Sequence, residues 1–111
     1  MASPIEFTRG ASFQFVMKIP DKIDDGTFFN WTLRCQVRKE ANEAPSGFIS
    51  EVPVYWLDPT TTRALAVKQD ATDNWPIGPA EFDVLFTSPA GERIRSKRVP
   101  FHIVRGVTRR D

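Results

Sequence analysis

Apolar and polar residues alternate along most of this chain with a period of two. From residue 13 to residue 19 the odd positions are Phe, Phe, Met and Ile, with Gln14 and Lys18 between them. Such alternation is typical of strands that bury one face and expose the other. The same pattern recurs in residues 31–37, 52–56, 65–67, 82–86 and 99–103, and residues 5–7 are a candidate N-terminal strand.

Turn-forming residues separate these stretches. The clearest are PDKIDDG at 20–26, PSG at 45–47, DPT at 58–60, NWPIGP at 74–79 and SPAG at 88–91. Short strands with turn signals every ~8–12 residues are typical of a β-sandwich or a small barrel. The sequence predicts one all-β domain over residues 1–111, an antiparallel β-sandwich of about seven to eight strands. Both a jelly-roll-like and an immunoglobulin-like strand order fit this pattern.

The stretch EFDVLFTSPAGERIRSKRVPFHIVR, residues 81–105, predicts a hairpin with an irregular second arm. Ile94 is apolar in the even register, whereas Val99, Phe101 and Ile103 are apolar in the odd one. A slip of one residue would turn an apolar face toward solvent. We therefore expect a bulge or a break between Arg95 and Val99, a position where a nearby proline is also tolerated.

Composition narrows the class of protein. The chain has 111 residues, 41% of them hydrophobic and 12% aromatic, with a net charge of +1. This is too apolar for a disordered chain, and the charge does not point to nucleic acid or to a membrane surface. The single cysteine, Cys35, excludes an intrachain disulfide and a multi-cysteine zinc site. The N-terminal segment has no apolar region typical of a secretory signal, and no apolar run approaches the ~20 residues of a membrane helix.

Basic residues concentrate toward the C-terminal end. From Gly91 onward there are seven Lys or Arg residues and two acidic ones, whereas the preceding residues include eight basic and twelve acidic ones. Such a segment could protect an edge strand, meet a protein partner or bind nucleic acid. Nucleic acid is the least favoured, because the nearby Phe82, Phe86 and Phe101 fall on the predicted buried face. The interface residues predicted here are Arg93, Arg95, Arg98, His102, Arg105 and Arg109.

No arrangement of residues predicts catalysis, a metal site or a cofactor site. His102 is the only histidine, and no motif places a nucleophile and an orienting acid beside it. Cys35 lies in the apolar register and is predicted to be a buried small side chain. The acidic residues of segment 21–25 lack the ligand spacing of a calcium loop. We expect a protein that is not an enzyme.

Large aromatic residues are more numerous than the inward-facing positions of the predicted strands. Phe28 and Phe29 are adjacent, so both cannot point inward from an extended strand. Exposed aromatic side chains on a soluble domain usually mark a partner site. We therefore add Phe28, Phe29 and Trp75 to the predicted interface.

Four segments resemble a known class of proteins. They are FTRGASFQF, NWTLRCQVR, NWPIGPAEFDVLFTSPAGERI and VPFHIVRGVTRRD, and together they cover nearly the whole chain. Their order resembles small all-β virion proteins of tailed bacteriophages, including N-terminal domains of baseplate and tail proteins. Length and layout are most similar to the capsid decoration, or stapling, proteins of short-tailed enterobacteria phages.

The resemblance implies a structural protein of the virion without catalytic residues. It would be made in the host cytoplasm, bind the outer capsid surface and clamp neighbouring major capsid subunits as a homodimer at two-fold positions. Residues 1–9 and 104–111 would serve as contact arms. The alternatives are a tail or baseplate component, with three- or six-fold symmetry, and a small nucleic-acid-binding barrel whose affinity falls steeply with salt.

Overall fold

The computed structural model describes residues 5–41 and 44–107, and in this part of the chain every strand belongs to one of two sheets. The strands are β1 (Ile5–Thr8), β2 (Phe13–Lys18), β3 (Thr32–Lys39), β4 (Phe48–Val52), β5 (Val54–Trp56), β6 (Ala64–Gln69), β7 (Gly78–Thr87), β8 (Arg93–Arg95) and β9 (Val99–Val104). A single 3₁₀ turn, Pro45–Gly47, precedes β4. The predicted all-β sandwich is confirmed, and its described part has nine strands rather than seven or eight.

The two sheets differ in size. The large sheet has the order β1-β9-β7-β3-β4, with β8 also paired to β7, and the small sheet has the order β2-β6-β5. All pairs are antiparallel except β1 with β9, which run parallel from Ile5↔Phe101 to Thr8↔Val104. The N-terminal strand is therefore confirmed, but it departs from the antiparallel arrangement that we predicted.

The predicted strand 52–56 is in fact two strands that belong to different sheets. Val52 pairs with Cys35 in the large sheet, whereas Val54 pairs with Val67 in the small one. Pro53, between them, has no N–H to donate to either sheet, and its carbonyl accepts a hydrogen bond from Lys68 N at 3.0 Å. The change of sheet leaves the alternation intact, because positions 52, 54 and 56 all face the interior that the sheets share.

The hairpin of residues 81–105 is broken where we expected. Its turn is closed by Ser88 N, which donates to Glu92 O at 2.8 Å. β8 then pairs with the end of β7, and β9 pairs with its beginning. Between them Ser96 exchanges two hydrogen bonds with Val84, one through its N–H and one through its hydroxyl, both at 2.9 Å. The side chain thus replaces a backbone partner at the break.

Two aromatic clusters join the sheets. Phe13 of β2 packs against Phe82 of β7 at a centroid distance of 5.4 Å, and its ring also contacts Phe7, Trp75 and Phe101. Phe28 forms the second cluster with Trp31, Trp56 and Phe86. The remaining core consists mostly of fully buried aliphatic side chains, among them Val37, Val52, Leu65, Val67, Val84 and Ile103.

Arg63 organises the acidic loop that follows β2. Its guanidinium donates hydrogen bonds to the carbonyls of Ile19 and Pro20, both at 2.9 Å, and to that of Ile23. It also lies 3.3 Å from a carboxylate oxygen of Asp25 and 3.7 Å from one of Asp21. Two acidic residues of this loop, Asp21 and Asp25, therefore lie near the cation that holds the loop to the start of β6.

The predicted contact arms lie partly inside the sheet. Residues 5–8 form β1, and Arg9 N donates to Val104 O at 2.9 Å, so this segment is paired along most of its described length. Val104 itself ends β9. Residues 1–4 and 108–111, which include Arg109, are outside the described residues. The segment 5–9 is therefore an edge of the sandwich rather than a free arm.

Candidate functional site

Two residues predicted at an interface are buried, and that prediction is wrong. Phe28 is 6% exposed and Trp75 is 4% exposed. Phe28 lies between the two sheets, and its N–H donates to the hydroxyl of Thr62 at 3.4 Å. Trp75 follows a turn anchored by Thr72, whose hydroxyl accepts from Gly10 N and donates to Ala11 O. Both are loop residues that fold back over the core.

The other described candidates lie at the surface but do not form one site. Phe29 is 55% exposed, Arg93, Arg95, Arg98 and Arg105 are exposed, and His102 is half-buried. Arg95 and Arg98 line a common groove, whereas His102 pairs with Glu6 of β1 and Pro79 of β7. Of the predicted interface residues, Arg95 and Arg98 line this groove, and Arg93 lies beside Arg95 on β8.

The groove lies on the outer face of the large sheet and has a volume of about 1030 Å³. It opens where β8 and β9 separate, so Ser96 and Lys97 contribute to its wall. Arg95 lies 3.6 Å from a carboxylate oxygen of Asp83, and Arg98 lies 3.9 Å from one of Glu81. The groove lining has four cationic side chains, Arg38, Arg95, Lys97 and Arg98, and two carboxylates, Glu81 and Asp83, each of which lies near one arginine.

Sequence reasoning missed two residues of the groove, Gln36 and Arg38 of β3. They stand directly opposite Asp83 and Glu81 in the β3–β7 register. Only knowledge of the strand order could have placed these two residues beside Asp83 and Glu81. Arg38 donates to Ala44 O at 3.1 Å, and its guanidinium lies over the Phe48 ring at 5.9 Å.

An ion pair lies next to the groove on the same face. Arg34 of β3 and Glu51 of β4 approach to 3.0 Å, and Gln36 donates to the same carboxylate at 3.3 Å. The Arg34 hydrogen bond holds the pKa of Glu51 below its ordinary value. Both side chains remain open to water, where such pairs contribute little to stability. We infer that the pair helps to fix the β3–β4 register.

Two arginines of the basic segment, and the aromatic residues nearest to it in the sheet, already have contacts within the protein. Arg95 and Arg98 already face carboxylates, and the nearby aromatic residues Phe82, Phe86 and Phe101 are buried. Such sites combine free cations with exposed rings that stack on bases. Arg95 and Arg98 do not have this arrangement, whereas Arg38 and the exposed Phe48 ring do place a cation beside a ring.

The opposite side of the molecule presents an apolar surface, which we call the small-sheet face. Val16, Ala66 and Tyr55 stand side by side across β2, β6 and β5, because Val16 and Tyr55 both pair with Ala66. Val16 is 55% exposed, and Tyr55 is 50% exposed. The next row adds Ala64 and the half-exposed Leu57, which are joined by a 2.9 Å backbone hydrogen bond.

The charged residues at the outward positions of the small-sheet strands are Lys18 and Lys68. The outward positions of the small-sheet face, read from the strand registers, are Gln14, Val16, Lys18, Tyr55, Leu57, Ala64, Ala66 and Lys68. No carboxylate occurs among them. The sequence signal for this surface was the stretch around Tyr55 and Leu57, which is apolar on both faces of its strand.

Cys35 is confirmed as a buried side chain of β3. Burial, with smaller contributions from Asp83 and Glu51, raises the pKa of its thiol to about 12. Because the thiolate is the reactive form, we predict that a chromogenic disulfide reagent labels Cys35 rapidly in denaturant and at least ~100-fold more slowly in the native protein. Rapid native labelling would contradict the burial of this side chain.

Among residues 5–41 and 44–107, no three His, Cys, Asp or Glu side chains cluster closely enough to hold a metal ion. The same part of the chain has no helix long and apolar enough to cross a membrane. No protein-family model matches the chain, and comparison with curated proteins finds no match. A function must therefore be argued from the surfaces.

Proposed function

We propose that this chain is a non-enzymatic structural protein of a tailed-phage virion. It binds the outer surface of the capsid and clamps neighbouring major capsid subunits, which stabilises the shell. The segments that resemble capsid decoration proteins suggest this role. The observation that carries it is the small-sheet face, an exposed apolar surface on a domain whose own core is already filled.

The small-sheet face has the chemistry of a protein-docking surface. Val16, Tyr55 and Leu57 each leave about half of their side chain in water, although apolar area is more stable when it is covered. Tyrosine is enriched at the centres of interfaces. Lys18 and Lys68 flank the apolar rows, so the complementary surface on the capsid subunit is apolar with carboxylates at its rim.

The large-sheet groove supplies the second contact of a clamp. In a two-layer sandwich the outer faces of the sheets point in opposite directions, so one domain can contact two neighbours. The groove offers the ion pairs Arg95–Asp83 and Arg98–Glu81 together with the cations Arg38 and Lys97. A mixed-charge surface of this kind favours a specific orientation over high affinity.

The test is co-sedimentation of the purified protein with capsid shells that lack it. We expect saturable binding in a fixed ratio to capsid subunits, and bound shells should resist heat better than bare shells. Tyr55→Ala should weaken binding about tenfold or more, because a buried aromatic anchor is removed from the interface. Ile94→Ala, which truncates an exposed apolar side chain on β8 that lines neither the groove nor the small-sheet face, is the matched control and should bind normally.

Two outcomes would overturn the proposal. One is the absence of saturable binding to shells. The other is the assembly of three- or six-fold rings that bind purified tails instead, which would assign the protein to the tail or baseplate. Equal loss of shell binding in Tyr55→Ala and Ile94→Ala would remove the small-sheet face from the interface.

A further inference from the structure

Strand β2 leaves one row of its backbone groups open along the edge of the small sheet. Ile19 N, just after the strand, donates to Arg63 O at 2.8 Å, so the N–H of this residue points toward the chain of β6. Backbone groups alternate in direction along a strand. The N–H and C=O groups of Gln14, Val16 and Lys18 therefore point away from β6 into solvent, where no described residue pairs with them.

The other described edges carry protection that β2 lacks. β8 has three residues, and two of them are the exposed arginines 93 and 95. At the β4 edge, the Gln69 amide caps the carbonyl of Glu51 at 3.4 Å. β5 has only three residues and follows a proline, and β1 has four with Glu6 among them. Natural sheets use such short lengths, charges and caps to prevent edge-to-edge pairing.

β2 is long and open enough to accept another strand. It has six residues, contains no proline, and has no charge before its last residue. Val16, at the centre of its outward-facing row, is exposed. An extended strand can add to such an edge through backbone hydrogen bonds.

We propose that the occupant of this edge is β2 of a second copy, antiparallel about a two-fold axis that passes between the Val16 residues of the two copies. Each Val16 then exchanges both of its backbone hydrogen bonds with Val16 of the second copy. Gln14 pairs in the same way with Lys18 of that copy. In this register the open backbone groups of Gln14, Val16 and Lys18 all find partners in the second copy. The result is an isologous dimer in which no further β2 edge is left open.

Charge supports a second copy in this register. Lys18 lies opposite Gln14, so no two lysines face each other directly. A register centred on Lys18 would oppose the two lysines, which destabilises a strand pair. Lys68, which pairs with Gln14 inside each copy, would be two strands away from Lys18 of the other copy, at roughly 9.5 Å.

The pairing would also enlarge the small-sheet face. Tyr55, Ala66 and Val16 of one copy would continue into Val16, Ala66 and Tyr55 of the second across one six-stranded sheet. The strand pairing follows from the open edge of β2, whereas its use on a capsid rests on the proposed function. A two-fold capsid clamp would gain a doubled docking surface from it.

Cross-linking tests the register. Hydrogen-bonded partners in antiparallel strands have Cα atoms about 5.5 Å apart, within the range that a disulfide spans. Val16→Cys should therefore form a covalent dimer on mild oxidation. Gln14→Cys and Lys18→Cys are the matched controls, because each residue would be roughly 13 Å from its own copy and should stay monomeric in denaturing gels. The buried Cys35 is common to all three variants.

Analytical ultracentrifugation tests the edge without a new thiol. The unaltered protein should sediment as a dimer that dissociates on dilution. Val16→Pro keeps an apolar side chain but removes the backbone N–H that points away from β6. Because this N–H has no partner within one copy, the variant should remain folded and become monomeric. Tyr55→Ala, on the same face but on another strand, should remain dimeric.

Two results would overturn the proposed pairing. One is a protein that stays monomeric at millimolar concentration, and the other is a folded Val16→Pro variant that remains dimeric. Equal cross-linking of all three cysteine variants would reject the register. None of these experiments uses capsid shells, so a dimer that fails to bind shells would overturn the proposed function and leave the pairing intact.

Discussion

Replacing Phe28 by alanine should lower the free energy of unfolding by about 3–5 kcal/mol, whereas the same change at Phe29 should alter it by less than about 0.5 kcal/mol. The two residues are neighbours in the chain, but Phe28 is buried and Phe29 is largely exposed. Phe28 contacts Trp31 at a centroid distance of 5.1 Å, Trp56 at 6.1 Å and Phe86 at 5.1 Å. Its removal leaves a cavity between two packed sheets that cannot collapse fully.

Denaturant unfolding of the two variants, followed by tryptophan fluorescence, provides the measurement. The unaltered protein and Phe29→Ala should share a midpoint, and Phe28→Ala should unfold at much lower denaturant with a similar slope. Similar decreases in the free energy of unfolding of the two variants would show that the two side chains are equally buried or equally exposed. That result would contradict the loop conformation described above.

Replacing Arg63 by methionine should lower the free energy of unfolding by about 1.5–3 kcal/mol. Methionine keeps much of the packing volume but removes the donors to the carbonyls of Ile19, Pro20 and Ile23. It also removes the cation that lies near the carboxylates of Asp21 and Asp25. The loss should be concentrated in the loop, which should become sensitive to proteolysis before the sheets unfold.

Arg63→Lys separates charge from geometry. A lysine ammonium keeps the positive charge but lacks the planar fork that reaches several carbonyls at once, so it should recover only part of the stability. Arg34→Met is the matched control, because Arg34 forms an ion pair but is open to water. Full recovery in Arg63→Lys would mean that charge alone holds the loop. Unchanged stability in Arg63→Met would mean that the hydrogen bonds are not needed.

The strands and the break in the hairpin could be predicted because alternation reports directly on which face is buried. The odd positions from Phe13 to Met17 and the even positions from Phe82 to Phe86 point inward. Ile94 revealed the break because its register disagrees with that of Val99. Loop aromatics carry no such signal, and for this reason Phe28 and Trp75 were misplaced.

The strand order could not be predicted from the sequence, because it depends on which strands pair with each other. Pro53 interrupts no alternation, so nothing local indicates that the chain changes sheet there. The groove and the small-sheet face could not be predicted for the same reason. Arg38 becomes part of the groove only when β3 lies beside β7, and Val16 joins Tyr55 only when β6 lies between their strands.

The parallel pair β1–β9 has a consequence for how the domain assembles. The first described strand has its only strand partner in the last one, across nearly the whole length of the sequence. During synthesis Ile5–Thr8 must therefore wait, unpaired, until Val99–Val104 has been made. Folding dominated by such distant pairings is slow, roughly milliseconds to seconds. A chain interrupted shortly before β9 would lose two strands rather than one, and Phe7 and Phe13 would lose their contacts with Phe101.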